Sequence, residues 1–190
     1  MKYELTDETI DVSGTTLHRI KALKDFGNVK KGELGGYVKK GELGGYVESE
    51  YNLSQIGNCW VYGNARVCGD AELCGNAKVC GNARVCGNAE VCGNAKVCGN
   101  AWVYGNAEVC GNARVYGNAD YITIKGLGSR YRDTTIFKTR NEDVVVRCGC
   151  FYGTLTEFVN EVGITHGDSK YAKEYLALVE LAKIHFGIEK

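Results

Sequence analysis

Proline is missing altogether from these 190 residues, and methionine occurs once. Without proline the chain has no turn residue with a preset φ, so its corners must be made by other means. An excess of charge is missing too: 23 basic residues balance 23 acidic ones. That balance argues against bulk-charge binding to nucleic acid or a membrane surface. No apolar run approaches the ~18–20 residues of a membrane helix. The opening MKYELTDETI is too polar for a secretory signal. With ten cysteines and no such signal, the expected compartment is reducing and cytoplasmic rather than one of disulfide frameworks.

What is abundant is a six-residue phrase. Gly-Asn-Ala or a close variant occurs eleven times at six-residue steps, from Gly57-Asn58-Cys59 to Gly117-Asn118-Ala119. An aliphatic residue stands two places after each Ala from Ala65 to Ala113. A period of six does not fit an α-helix, and the recurrent Gly-Asn would cost a helix heavily. Four residues of strand and a two-residue corner do fit, which predicts a β-solenoid. Side-chain alternation then sets the faces. In Ala83-Arg84-Val85-Cys86, Ala and Val point inward, while Arg84 and Cys86 point out. Gly87-Asn88 makes the corner, since both tolerate left-handed backbone angles.

This pattern resembles the hexapeptide-repeat family of left-handed parallel β-helices. Val61, Val67, Leu73 and Val79 match its aliphatic first position, and Ala65, Ala71 and Ala77 its small fifth. Asn64, Asn76 and Asn82 stand where that family often places a corner Asn or Asp. The departure is Cys or Tyr at position two. The resemblance covers residues 55–122 and implies a mainly β fold: a left-handed parallel β-helix with three hexads per coil. The expected organisation is an N-terminal hairpin cap (1–28), an entry coil (29–54), the β-helix (55–122) and an α+β C-terminal cap (123–190).

With three hexads per coil, residues eighteen apart stack. One face then carries Trp60, Lys78, Lys96 and Arg114, a second Arg66, Arg84, Trp102 and Asp120, and a third Glu72, Glu90 and Glu108. Like charges ~4.8 Å apart repel. Either these faces meet partners (another subunit, the chain's own ends or a target), or repeat copying left them as solvated surface. Seven cysteines share one outward register. A Cys-x5-Cys spacing around three faces cannot gather four zinc ligands, and in-register neighbours on parallel strands are expected to be badly aimed for disulfides. Cysteine here reads as a small neutral strand residue alternating with Tyr, some copies of it covered by a partner.

Before the repeats, YELTDETIDVSGTTLHRIKAL reads as two strands around Ser13-Gly14. KKGELGGYV then occurs twice in tandem, at 30–38 and 39–47. Nine residues are one and a half hexads, so one copy is expected to bulge out or to shift the first coil. After the repeats, TTIFKT and DVVVRCGCF predict a hairpin around Arg140-Asn141-Glu142. Thr154 to Glu157 is a capping box opening a short helix through Phe158 and Val162, and Asp168 is expected to start a second. The two helices are expected to seal the open end of the coils.

HRIKALKDFG, LGGYVESE-NLS, GNCWVYGNA and CGCFYGTLTEF with THGDSKYAKEY together resemble a group of phage and prophage proteins. The tandem LGGYV departs from that group's single copy. This second resemblance implies a bacterial host cytoplasm and brings no assigned chemistry.

Many hexapeptide-repeat proteins are acyltransferases with CoA donors and a histidine base. Here the hexads hold no histidine; His18, His166 and His185 all lie outside them. An enzyme is therefore not favoured, and acyl transfer from a CoA donor is kept as the alternative. The best ligand candidate is GLGSRYRDTTIFK: Gly126 and Gly128 to present amides, Arg130 and Arg132 to neutralise an anion, Thr134 or Thr135 to bond it, and His166 to join if the helices fold back. A turn closed by an Arg130–Asp133 pair is the plainer reading. Cys148, Cys150 and His166 lack an evident fourth metal ligand, so no metal and no cofactor are expected. The resulting expectation is a non-enzymatic β-helical binding or scaffold protein, a trimer or dimer, with a host protein or a nucleotide-type small molecule as partner. A defence-system inhibitor is its specific form.

Overall fold

The computed structural model describes residues 1–27 and 36–188. Polar–apolar alternation at the start of the chain produces a hairpin. Strands β1 (Tyr3–Val12) and β2 (Thr15–Ala22) pair antiparallel, Tyr3 opposite Ala22 and Val12 opposite Thr15. Ser13 and Gly14 turn it, both at positive φ. Strands β3 (Phe26–Gly27) and β4 (Tyr37–Val38) make a two-stranded pair, and β5 (Leu43–Val47) lies antiparallel to β2. The second copy of KKGELGGYV thus supplies β5, while the first supplies β4. The bulge expected of one copy falls on residues 30–35, outside the described residues.

From β6 (Trp60–Val61) to β15 (Arg114–Val115), ten two-residue strands follow at six-residue steps. They sort into three parallel stacks: β6-β9-β12-β15, β8-β11-β14, and β7-β10-β13, the last continuing from β5. This is a β-solenoid of about four turns. Lys96 lies in register with Arg114, Arg84 with Trp102, and Glu90 with Glu108. The first coil is two residues longer, since Tyr46 pairs with Arg66 and Leu53 with Leu73. The added length sits between Leu53 and Trp60, where Gln55 Oε1 accepts from the Lys2 amide at 2.7 Å.

The repeated letters now have physical reasons. Ala65 to Ala113 and Val61 to Val115 line a core in which no such residue is more than 1% exposed. Gly87 has φ of +73°, and an added Cβ would stand 3.0 Å from the Gly105 amide nitrogen of the next coil, so a side chain at this corner is both strained and crowded. The corner asparagines donate side chain to side chain along the stack: Asn58 to Asn76 at 3.0 Å, Asn76 to Asn94 at 3.1 Å and Asn94 to Asn112 at 3.4 Å. Their backbone amides donate to the carbonyl of the next coil's corner, as Asn94 N to Gly111 O at 2.7 Å.

One cysteine expectation is overturned. Cys80 and Cys98 are joined as a disulfide, their Cα atoms 4.6 Å apart. Stacking in register brings the Cα atoms within the span a disulfide can bridge.

After the coils, β16 (Tyr121–Leu127), β17 (Arg132–Lys138), β18 (Val144–Cys148) and β19 (Phe151–Thr154) form an antiparallel sheet in chain order. The expected hairpin is its central pair. Two helices follow, α1 (Leu155–His166) and α2 (Lys170–Phe186). Thr154 Oγ1 accepts from Glu157 N at 3.2 Å, and Glu157 Oε2 accepts from Thr154 N at 2.7 Å, which is a capping box. Ser169 rather than Asp168 caps α2, accepting from Ala172 N at 3.4 Å. Strand alternation gives this sheet two apolar faces. Tyr121, Phe137 and Val145 join the solenoid core, while Ile136, Val144 and Val146 pack with Leu155, Phe158, Val162 and Leu178 of the helices.

Polar groups of the last coil, which a further coil would have paired, find other partners. Glu108 N donates to Thr135 Oγ1 at 3.1 Å, Arg140 N to Asn112 O at 3.0 Å, and Trp102 N to Asn118 Oδ1 at 2.8 Å. Among the described residues no helix is long and apolar enough to cross a membrane.

Candidate functional site

Helices α1 and α2 fold back over the β16–β17 turn and the end of β18, and a cavity of about 680 Å³ opens between them. Its wall follows from the period of each helix. Phe158 and Val162 of α1 and Tyr171 and Tyr175 of α2 face it, opposite Phe151 of β19. The aromatic groups pack as a cluster: Phe151 lies 5.1 Å from Phe158, and Phe158 meets Tyr175 edge-on at 5.3 Å. The Tyr175 hydroxyl reaches Leu127 O at 3.4 Å and Cys148 Sγ at 3.7 Å. Burial, ahead of the Cys148 contact, pushes its pKa up.

Cations stand at the cavity's edge. Arg130 lies on the turn and Arg132 opens β17; neither forms a salt bridge among the described residues. Arg132 lies across Gly149, in space that a Cβ there would occupy. His166, the last residue of α1, stacks 5.6 Å from Tyr175 with rings tilted 31°. The ensemble is an aromatic-walled cavity with two guanidiniums and an imidazole at its rim.

Of the anticipated ligand residues, Arg130, Arg132 and His166 therefore come together and three others do not. Thr134 and Thr135 are buried in β17: Thr134 Oγ1 donates to Cys148 Sγ at 3.3 Å, and Thr135 Oγ1 serves Glu108. Successive strand residues cannot all face the cavity. Asp133 borders a separate groove with Glu90 and Glu108, forms no ion pair with Arg130, and keeps a buried Oδ1 without a hydrogen-bond partner. Tyr171, Tyr175, Phe151 and Phe158 were the missed lining residues; their helical and strand spacing was readable, but not which apolar face would stay partly unfilled. Cys148, Cys150 and His166 all line the cavity, yet among the described residues they do not form a metal-sized cluster.

The ladders also have definite surroundings. Trp60, expected on an outward basic face, is fully buried, packed edge-on by Phe26 at 5.2 Å and Tyr3 at 6.1 Å. The chain's own N-terminal segment covers it. Lys78, Lys96 and Arg114 continue that stack half-buried, and Arg114 Nη1 donates to Asn94 O and Ala113 O. On the second stack Arg66 is half-buried, whereas Arg84 and Trp102 are exposed, the guanidinium 5.5 Å from the indole centre. Asp120 leaves this stack; its carboxylate accepts from Tyr116 N and Gly117 N and pairs with Lys138. On the third stack Glu72 and Glu90 are exposed, and Glu108 is bound by Arg147 Nε at 2.6 Å. Beside them run Cys74, Cys92 and Cys110, all half-buried. Cys110 is held below the usual thiol range by the hydrogen bond from Cys92, with Arg147 helping, while Cys92 is pushed up as that donor. Cys68 on the neighbouring stack is pushed up by burial to about 11.

No protein-family model matches the chain, and no curated protein matches it either.

Proposed function

We propose that this is a non-enzymatic β-helical binding protein whose C-terminal cavity takes a small anionic ligand of the nucleotide type. The observation that carries the reading is the meeting of Arg130, Arg132 and His166 at the rim of one aromatic-walled cavity. An aromatic wall offers a stacking surface to a base, and guanidiniums free of salt bridges offer forked donors to phosphate. In this reading the coil is left-handed, as the hexapeptide resemblance implies, the terminal elements cap it, and the charged stacks serve self-association or docking on a host protein. Action against a host defence system rests on the phage-like resemblance alone.

Calorimetric titration of the purified chain with inorganic phosphate, mononucleotides, cyclic dinucleotides and CoA tests it. A nucleotide should bind, and Arg130→Ala or Arg132→Ala should each weaken it about ten- to a hundredfold, the loss of a charge-assisted hydrogen bond. Binding that ignores both substitutions, or no binding, overturns the reading. Turnover of an acyl-CoA would instead establish the acyltransferase alternative.

A further inference from the structure

The acidic stack carries a second cluster, remote in kind from the aromatic cavity. Glu90 and Cys92 are two residues apart on one strand and so project from the same side of the sheet. Cys74 stands one coil away in the column of Cys92, because Glu90 pairs in register with Glu72. Two thiol sulfurs and a carboxylate oxygen thereby fall within 4.8 Å of one another. We propose that Cys74, Glu90 and Cys92 form a binding site for a thiophilic divalent cation of the zinc–cadmium class.

The donor chemistry selects that class. Two sulfurs exclude magnesium and calcium, which take oxygen, and a mixed sulfur–oxygen set suits a borderline-soft d¹⁰ ion. With metal–sulfur bonds of about 2.3 Å, tetrahedral donors stand roughly 3.7 Å apart, so side-chain rotation closes the spread. The site supplies three donors, as the six-residue spacing allows, and the fourth position is left to water or an outside ligand. Binding replaces the two thiol protons: each S–H bond breaks, each sulfur keeps its electron pair for the metal, and two protons leave to solvent.

Local charge singles out this triad from the others the ladder offers. One coil further along, Glu108 belongs to Arg147 at 2.6 Å, so the equivalent set with Cys92 and Cys110 has no free carboxylate. On the basic stack Cys80 and Cys98 are consumed in a disulfide. Cys68 and Cys86 have Arg66 and Arg84 at the positions that Glu72 and Glu90 hold here. At Cys74 the neighbours are the exposed carboxylates Glu72 and Glu90, and a cation relieves their repulsion. Lys125, Arg130 and Arg132 stand across the groove that Glu90 borders, and the metal competes with them for this carboxylate.

The test is a titration of Cd²⁺ into the full-length Cys80→Ser/Cys98→Ser protein kept reduced and metal-free, so that the disulfide's thiols cannot compete, followed by the ultraviolet cadmium–thiolate charge-transfer band. The band should saturate at one equivalent. Cys74→Ser or Cys92→Ser should remove most of it. Glu90→Gln should keep the band but weaken affinity by about a hundredfold or more, since losing a donor costs more than the roughly ten- to hundredfold of losing a ligand's outer-shell partner. The double variant Cys68→Ser/Cys86→Ser should leave both band and affinity unchanged. Serine at these outward positions leaves the Ala–Val core untouched, and tryptophan fluorescence verifies the fold of each variant. Absence of a band in the reduced protein, or a loss shared equally with the Cys68/Cys86 variant, overturns the proposal.

Discussion

The coils and the sheet-and-helix unit after them bury apolar side chains in different ways. In the coils one small residue stacks on its own copy, Ala on Ala and Val on Val, with each contact made to the neighbouring coil. In the C-terminal unit unlike residues interlock, Phe151 on Phe158 and Phe158 on Tyr175, and the fit leaves a cavity. A repeated core stabilises by summing equal neighbour terms and offers little shape. A core of unlike side chains makes a recess with a particular lining. The coils contribute columns of surface groups instead, and there the thiol–carboxylate triad arises.

Both tryptophans, Trp60 and Trp102, lie in the coils, whereas both helices lie after them, so fluorescence and helical circular dichroism report the two regions separately. The largest effect is expected from Phe158→Ala, which empties the aromatic cluster at a cost of about 3–5 kcal/mol. The helical signal should be lost at lower denaturant while tryptophan emission lags; coincident transitions would show a single cooperative unit and break the comparison. Val91→Ala, in mid-coil, should cost roughly 2–3 kcal/mol and move the fluorescence transition in turn. Thr154→Ala removes the α1 cap, about 1 kcal/mol, and should shift the helical transition alone. Asn94→Ala interrupts one corner column and should cost only ~0.5–1 kcal/mol, read by fluorescence in urea. The smallest effect is on pH. The Thr154 amide, then its hydroxyl, hold the Glu157 carboxyl below the usual range. A depressed carboxyl stabilises when ionised, so its contribution is complete above the ordinary glutamate pKa and fades as pH falls through the folded value. Acid titration of the helical signal should be shallower in Glu157→Gln than in the parent.

The coils were legible because one period explained their core and corner positions. Alanine and valine inward, Gly87 at a left-handed corner and Asn94 bonding to its stacked copies each follow from local chemistry repeated. The helices were legible from the Thr154–Glu157 pair and the spacing of Phe158, Val162, Tyr175 and Val179. Strands β16 and β19 were not, since Lys125-Gly126 and the short FYGT carry no clear alternation. Of the candidate cavity, the sequence pointed to Arg130 and Arg132 by charge and by proximity to Gly126 and Gly128, and to His166 on condition that the helices fold back. It could not exclude Thr134 and Thr135, whose orientation depends on which face of β17 meets the helices.

By itself the sequence determined the stacked coils, their inward and outward positions and the columns of like residues, because a short period leaves one way to bury Ala and Val together. Tertiary structure decided what lies over each column. Trp60 is buried because the N-terminal hairpin and Phe26 come back across it, and Cys80 meets Cys98 because the stack brings their backbones within bonding reach. Arg132 reaches the cavity rim because α1 and α2 fold onto β17 and β18. Such contacts join residues with no common period, and only the packed chain brings them into range.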